Sequence, residues 1–204
     1  MNSTTRRRLA AAMSAITLAA TLAACSGTTE PADGSTTTSP SASGDVAEHN
    51  DADAQFAQMM IIHHEGAIQM SELAVEKAST PQVRELAERI AAAQGPEIEL
   101  MSGWLDAWGE GRPDGMDMGG MDHGGMDMEG MDQDEAMGAL DELEGVNFDR
   151  SFLDLMTAHH QGAIEMAERQ LAKGAHPEAI DLARAIIDDQ TAEIDEMQEI
   201  LRGL

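Results

Sequence analysis

Tyrosine does not occur in this chain, and its large aromatics are two tryptophans and three phenylalanines. Sheet cores lean on aromatic and β-branched side chains, whereas Ala, Leu and Met, abundant here, are good helix formers. An all-α fold is therefore expected. The single cysteine, Cys25, excludes an intrachain disulfide. Cations are scarce as well: 12 Lys and Arg stand against 38 Asp and Glu, a net charge of −26. Such a surface repels nucleic acid and anionic headgroups and attracts cations, so metal ions, and no nucleic acid, are the expected partners. No Gly-rich nucleotide loop stands out, and a catalytic triad through cysteine is unavailable.

Long apolar runs are missing too. The run from Leu9 to Ala20 falls short of the ~20 residues that cross a bilayer. With Arg6-Arg7-Arg8 before it and Leu22-Ala23-Ala24-Cys25 after it, it reads as a signal peptide over 1–24 that ends in a lipobox. Cys25 would carry the lipid anchor that holds the protein to the membrane outside the cytoplasm. The arginine run also permits twin-arginine export. Loss of 1–24 removes three Arg and no acid, taking the charge from −26 to −29. Residues 25–50 are Ser, Thr, Pro and Gly with few apolar side chains, the composition of a flexible tether.

What is present is a duplication. Residues 56–105 align with 152–201 at a constant offset of 96, with 19 of 50 positions identical. Asn50 or Asp51 can cap a first helix to about Ala78. Thr80-Pro81 starts a second, to about Trp108, where Pro96 permits a bend. Asn147 can cap a third, from Phe148 to Lys173, with Gly174 as its stop, and His176-Pro177 starts a fourth to about Arg202. Helices of this length, ~39 Å each, suggest a four-helix bundle over 51–204, made of two hairpins (51–108 and 147–204). The segment between them, 109–146, is long for a bundle loop and can run back along the bundle as in ferritin-like folds. A short helix from Asp134-Glu135 to Glu144 fits within it.

The most informative stretch is Met60-Ile61-Ile62-His63-His64-Glu65-Gly66-Ala67-Ile68-Gln69-Met70, which returns from Met156 to Met166 with His159-His160. At ~100° per residue, Met60, His63, Ala67 and Met70 share one helical face, with His64 at its edge. Four buried imidazoles cost desolvation energy unless each finds a partner. A polar network is one solution and metal is another. Bundle iron and manganese sites use Glu-x-x-His, but here Met60 and Met156 stand three residues before His63 and His159. Exchanging carboxylate for thioether favours Cu(I), or Ag(I) as its mimic. Gln94, Glu97, Ile98 and Met101 recur as Gln190, Glu193, Ile194 and Met197. Met101 and Met197 are candidate ligands, and Glu97 and Glu193 candidate orienting groups for the imidazoles.

The segment joining the repeats carries Met116, Met118, Met121, His123, Met126, Met128 and Met131, spaced by Gly and Asp. Gly disfavours a helix there, and exposed Met is easily oxidised. Thioethers with His123 among them suit labile capture of Cu(I), as a secondary site.

The doubled Met-x-x-His-His-x-x-Ala-Ile-x-Met pattern behind a lipoprotein leader resembles the bacterial family known as domain of unknown function 305. That resemblance covers roughly 51–204. It implies a secreted or membrane-anchored, ferritin-like four-helix bundle associated with copper binding and resistance. It carries a ligand role onto Met60, His63, His64 and Met70 and onto Met156, His159, His160 and Met166; Gln161 stands where the first repeat has Glu65. The expected function is Cu(I) buffering, resistance or transfer outside the cytoplasm, with a copper-handling protein or a second copy as partner. The rival readings are a ferritin-like metal oxidase, which needs bridging carboxylates and an open coordination position, and a metal-free interaction module with a repacking Met surface. No enzymatic activity is expected.

Overall fold

Asn50 opens the first helix as a capping box: its side chain accepts from the backbone N–H of Ala52 and Asp53, and Asp53 accepts from Asn50 N in return. From there the computed structural model describes residues 48–112 and 133–204, all within one unit, residues 43–204. The signal peptide, Cys25, most of the tether, and Met116, Met118, Met121, His123, Met126, Met128 and Met131 lie outside the described residues.

Among the described residues there are five helices and no strand: α1 Asp51–Lys77, α2 Pro81–Trp108, α3 Gln133–Asp141, α4 Gly145–Lys173 and α5 Pro177–Gly203. The all-α expectation holds. Both Pro start signals work as expected, and α2 continues through Pro96. Asn147 does not cap α4. Gly145 takes φ +61°, a left-handed turn that glycine adopts without strain, so α4 begins before Asn147, with Glu144 at the cap position.

α1 packs along α2, and α4 along α5. α1 and α4 form the central pair, while α2 and α5 barely meet. Two buried aspartates, themselves 96 residues apart, join the halves reciprocally. Asp149, near the start of α4, accepts from the backbone N–H of Ser79 and Thr80 (both 2.9 Å) and from both hydroxyls, in the turn after α1. Asp53, near the start of α1, accepts from the backbone N–H of Ala175 and His176 (3.1 Å) in the turn after α4, and from the Gln170 amide. α1 and α4 therefore run antiparallel, related by an approximate two-fold. Thr80 holds the N-cap position of α2 without a side-chain cap hydrogen bond, and its hydroxyl donates to Asp149.

The glycine at the end of α4 serves a close approach, not a left-handed turn. Gly174 is extended, and a Cβ there would lie 2.3 Å from Gln170 Nε2 and 2.8 Å from Asp53 Oδ1.

Candidate metal centre

Antiparallel pairing brings the middles of α1 and α4 together, so the two His-His pairs meet at the two-fold. The His63 and His159 rings stack at 3.6 Å between centroids. His63 Nε2 lies 2.9 Å from the His159 carbonyl. His64 Nε2 lies 2.7 Å from Glu97 Oε2, and His160 Nε2 lies 2.7 Å from Glu193 Oε2. All four imidazoles are buried.

These contacts determine the tautomers. A carbonyl or carboxylate oxygen can only accept, so Nε2 carries a proton on His63, His64 and His160, and in the neutral ring Nδ1 is the nitrogen with the lone pair. Nδ1 of His64, His159 and His160 is buried without a hydrogen-bond partner. Buried polar atoms are rarely left so, and unprotonated imidazole nitrogen is what a metal ion binds. Burial first, then repulsion from the neighbouring His64 and His160, pushes His63 down to about 3, against the opposing backbone hydrogen bond at His159. His159 is held well below the ordinary histidine range, again by burial first and then by His63, His160 and His64. Both rings stay neutral at physiological pH, ready as donors.

The thioethers are arranged differently from the single face drawn from helical spacing. Met60 and Met70 stand ten residues apart on α1, ~15 Å along the axis, and they join different core clusters. Met60 packs in one with Met101 and Met166, Met70 in the other with Met156 and Met197. Each cluster therefore takes thioethers from both halves, as antiparallel α1 and α4 require. Met60 precedes His64 by one turn, and Met101 follows Glu97 by one turn on α2; Met156, His160, Glu193 and Met197 repeat this. Thr157 Oγ1 donates to Met197 Sδ at 3.6 Å, a bond that Ile61 cannot make in the first half.

Among the described residues no three His, Cys, Asp or Glu side chains gather as a metal-binding group, so an ion at the His layer would draw on thioethers as well. Glu65 points outward to Arg112. His49 and His176 take no part; both pack on Trp108. Gln94 and Gln190, three residues before Glu97 and Glu193 on their helices, are buried with Oε1 unpartnered, and helical spacing alone assigns them no role. Asp53 and Asp149 were missed because they lie just ahead of the aligned block, although the same offset of 96 marks them.

Fold and site thus define a duplicated all-helical protein with a buried imidazole–thioether core. The chain belongs to the family described as "Domain of unknown function (DUF305)", whose model matches residues 53–201. A protein from Streptomyces coelicolor described as secreted is 33% identical, with 74% of this chain and 93% of that chain covered at a TM-score of 0.66. A fragment from Deinococcus radiodurans is 30% identical, covering 76% and 98%, with a TM-score of 0.66. CopM in its Cu(I)-bound form is 33% identical, covering 74% and 96%, with a TM-score of 0.60; CopM is also known in Cu(II)-bound, Ag-bound and apo forms. No curated protein matches the sequence significantly.

Proposed function

We propose that this protein is an extracytoplasmic, lipid-anchored copper carrier that binds Cu(I) in a ferritin-like four-helix bundle, buffering the ion or passing it on. The observation that carries this reading is the set of buried, unpartnered Nδ1 atoms on His64, His159 and His160, with carboxylates setting the tautomer of two of them. The likeness to CopM, solved with Cu(I), Cu(II) and Ag, supports it.

Each core cluster would hold one ion: one near His64 with Met60, Met101 and Met166, the other near His160 with Met156, Met197 and Met70. His63 and His159 share the layer between them. Soft thioether donors with neutral imidazole select Cu(I) over iron and manganese. Glu97 and Glu193 are engaged by His64 and His160, which favours a carrier over a carboxylate-bridged oxidase. Met116–Met131 would add a labile capture site, and the lipobox at Cys25 would place the domain at the membrane surface.

Anaerobic competition with a chromogenic Cu(I) chelator tests the reading. The wild type should take up about two ions in the bundle. His64→Leu with His160→Leu should lose them while keeping its helix content. Folded-state binding stabilises by ~4 kcal/mol at a thousandfold excess over Kd, so Ag(I) should raise the wild-type Tm by on the order of 10 °C. Tighter binding of Fe(II) or Mn(II) than of Cu(I) would refute the soft-metal assignment.

A further inference from the structure

The two halves of the centre match closely, so a place where they differ is informative. Each has a fully buried pair of thioethers, Met60 with Met101 and Met156 with Met197. In each, Nε2 of a buried histidine lies 2.7 Å from a glutamate oxygen of the next long helix. The imidazole side of the two halves is therefore alike.

The thioether side is not. The offset of 96 pairs Ile61 with Thr157 and Met101 with Met197. Thr157 Oγ1 donates from α4 across to Met197 Sδ on α5, at 3.6 Å. Ile61 is fully buried and has no hydroxyl to offer Met101. A thioether is a weak acceptor, and its second lone pair leaves Met197 able to ligate. The hydrogen bond nevertheless draws electron density from the sulfur that a soft ion needs. It also holds the Met197 side chain in its metal-free position, so any turn of that side chain toward an ion must break the bond.

We infer that the two ion sites are unequal and fill in order, the Met60–Met101 site first and the Met156–Met197 site second, with Thr157 setting the difference. This rests on the copper reading above and adds an order of loading to it. Thr157 touches a ligand, not the ion, and is a positioning residue. Weakening one neutral hydrogen bond corresponds to roughly threefold to tenfold in an equilibrium constant. The ion at Met197 should be held more weakly by that factor. A carrier built this way can give up the weaker ion while the tighter one stays bound and continues to stabilise the fold.

The test uses the full chain, labelled with ¹³C at the methionine methyls and titrated with Ag(I) against a competing chelator. Met101→Leu and Met197→Leu assign the two signals. Met101 should respond first, with apparent Kd values about threefold to tenfold apart. Thr157→Val keeps the shape and removes the hydroxyl, so it should close that gap, whereas Thr157→Ser keeps the hydroxyl and should preserve it. Without any metal, Thr157→Val should shift the Met197 methyl signal and leave that of Met101 in place. The inference is overturned if Met101 and Met197 respond together, if Met197 responds first, or if the gap survives Thr157→Val. It is also overturned if the metal-free Met197 signal ignores that substitution. Ag(I) that moves neither signal would refute the copper reading of the bundle itself, and the order of loading with it.

Discussion

Acid should destabilise the metal-free protein well before any carboxylate titrates, and His63 allows the size to be worked out. Its folded-state value is about 3, against ~6.5 in the unfolded chain. A histidine depressed on folding contributes stability that is fully present above the unfolded value. That stability is lost as pH falls below ~6.5, until the folded ring itself protonates near 3. At about pH 5 the unfolded form is favoured by roughly 1.5 pH units, or about 2 kcal/mol. His159 is shifted in the same direction and adds to this. For a domain of ~150 residues, 2 kcal/mol lowers Tm by roughly 4–8 °C. The window between about pH 7.5 and 5 lies above the titration of ordinary carboxylates, so it isolates the histidines. Thermal melts followed by circular dichroism, with a copper chelator present, should show this drop for the wild type. His63→Leu with His159→Leu should lose at least 2 kcal/mol of the pH dependence. At neutral pH its stability should change by only about 1 kcal/mol, since the His159 carbonyl lies inside α4 and keeps its helical partner. A wild-type Tm that is flat across the window, or a double variant as acid-sensitive as the wild type, would refute the argument.

Glu97→Gln with Glu193→Gln should lower Cu(I) affinity roughly 10–100-fold, because an amide no longer enforces the Nε2–H tautomer; chelator competition with unchanged helix content checks this. Asp149→Ala should cost roughly 3 kcal/mol in urea unfolding, since it strands the backbone donors of Ser79 and Thr80. Burial alone would raise Asp149, but its hydrogen bonds from Ser79 and Thr80 outweigh that and hold it below the ordinary carboxylate range. Its contribution should therefore persist above about pH 4 and fade as pH drops through the folded value. Gly174→Ala should destabilise by about 1–2 kcal/mol, because its Cβ meets the locked Gln170–Asp53 pair. Gly95→Ala, with open space around it inside α2, should stabilise by up to ~1 kcal/mol; paired denaturant melts measure both.

Much of this was legible in the sequence because it is local. Helix starts depend on a few adjacent residues, so Asn50, Pro81 and Pro177 marked theirs, and the offset of 96 identified the duplication without any structure. The start of α4 was misplaced because Gly145 offered a left-handed turn that a search for capping side chains does not see. The His-His pairs and their Glu partners were visible as residues that recur at the offset of 96, and i to i+4 spacing puts Met60 with His64 and Glu97 with Met101 on one face of their helices. What periodicity along one helix cannot contain is the register between helices. It is the antiparallel pairing of α1 with α4 that groups Met60 with Met166 and Met70 with Met156. The same pairing stacks His63 on His159 and carries Asp53 and Asp149 across to the opposite turns. Only the tertiary structure shows where α3 packs, with Ala136 and Leu140 buried beside Phe148 and Phe152 of α4 and Gln133 reaching the Gly66 carbonyl of α1, because nothing local in a nine-residue helix names its distant neighbours.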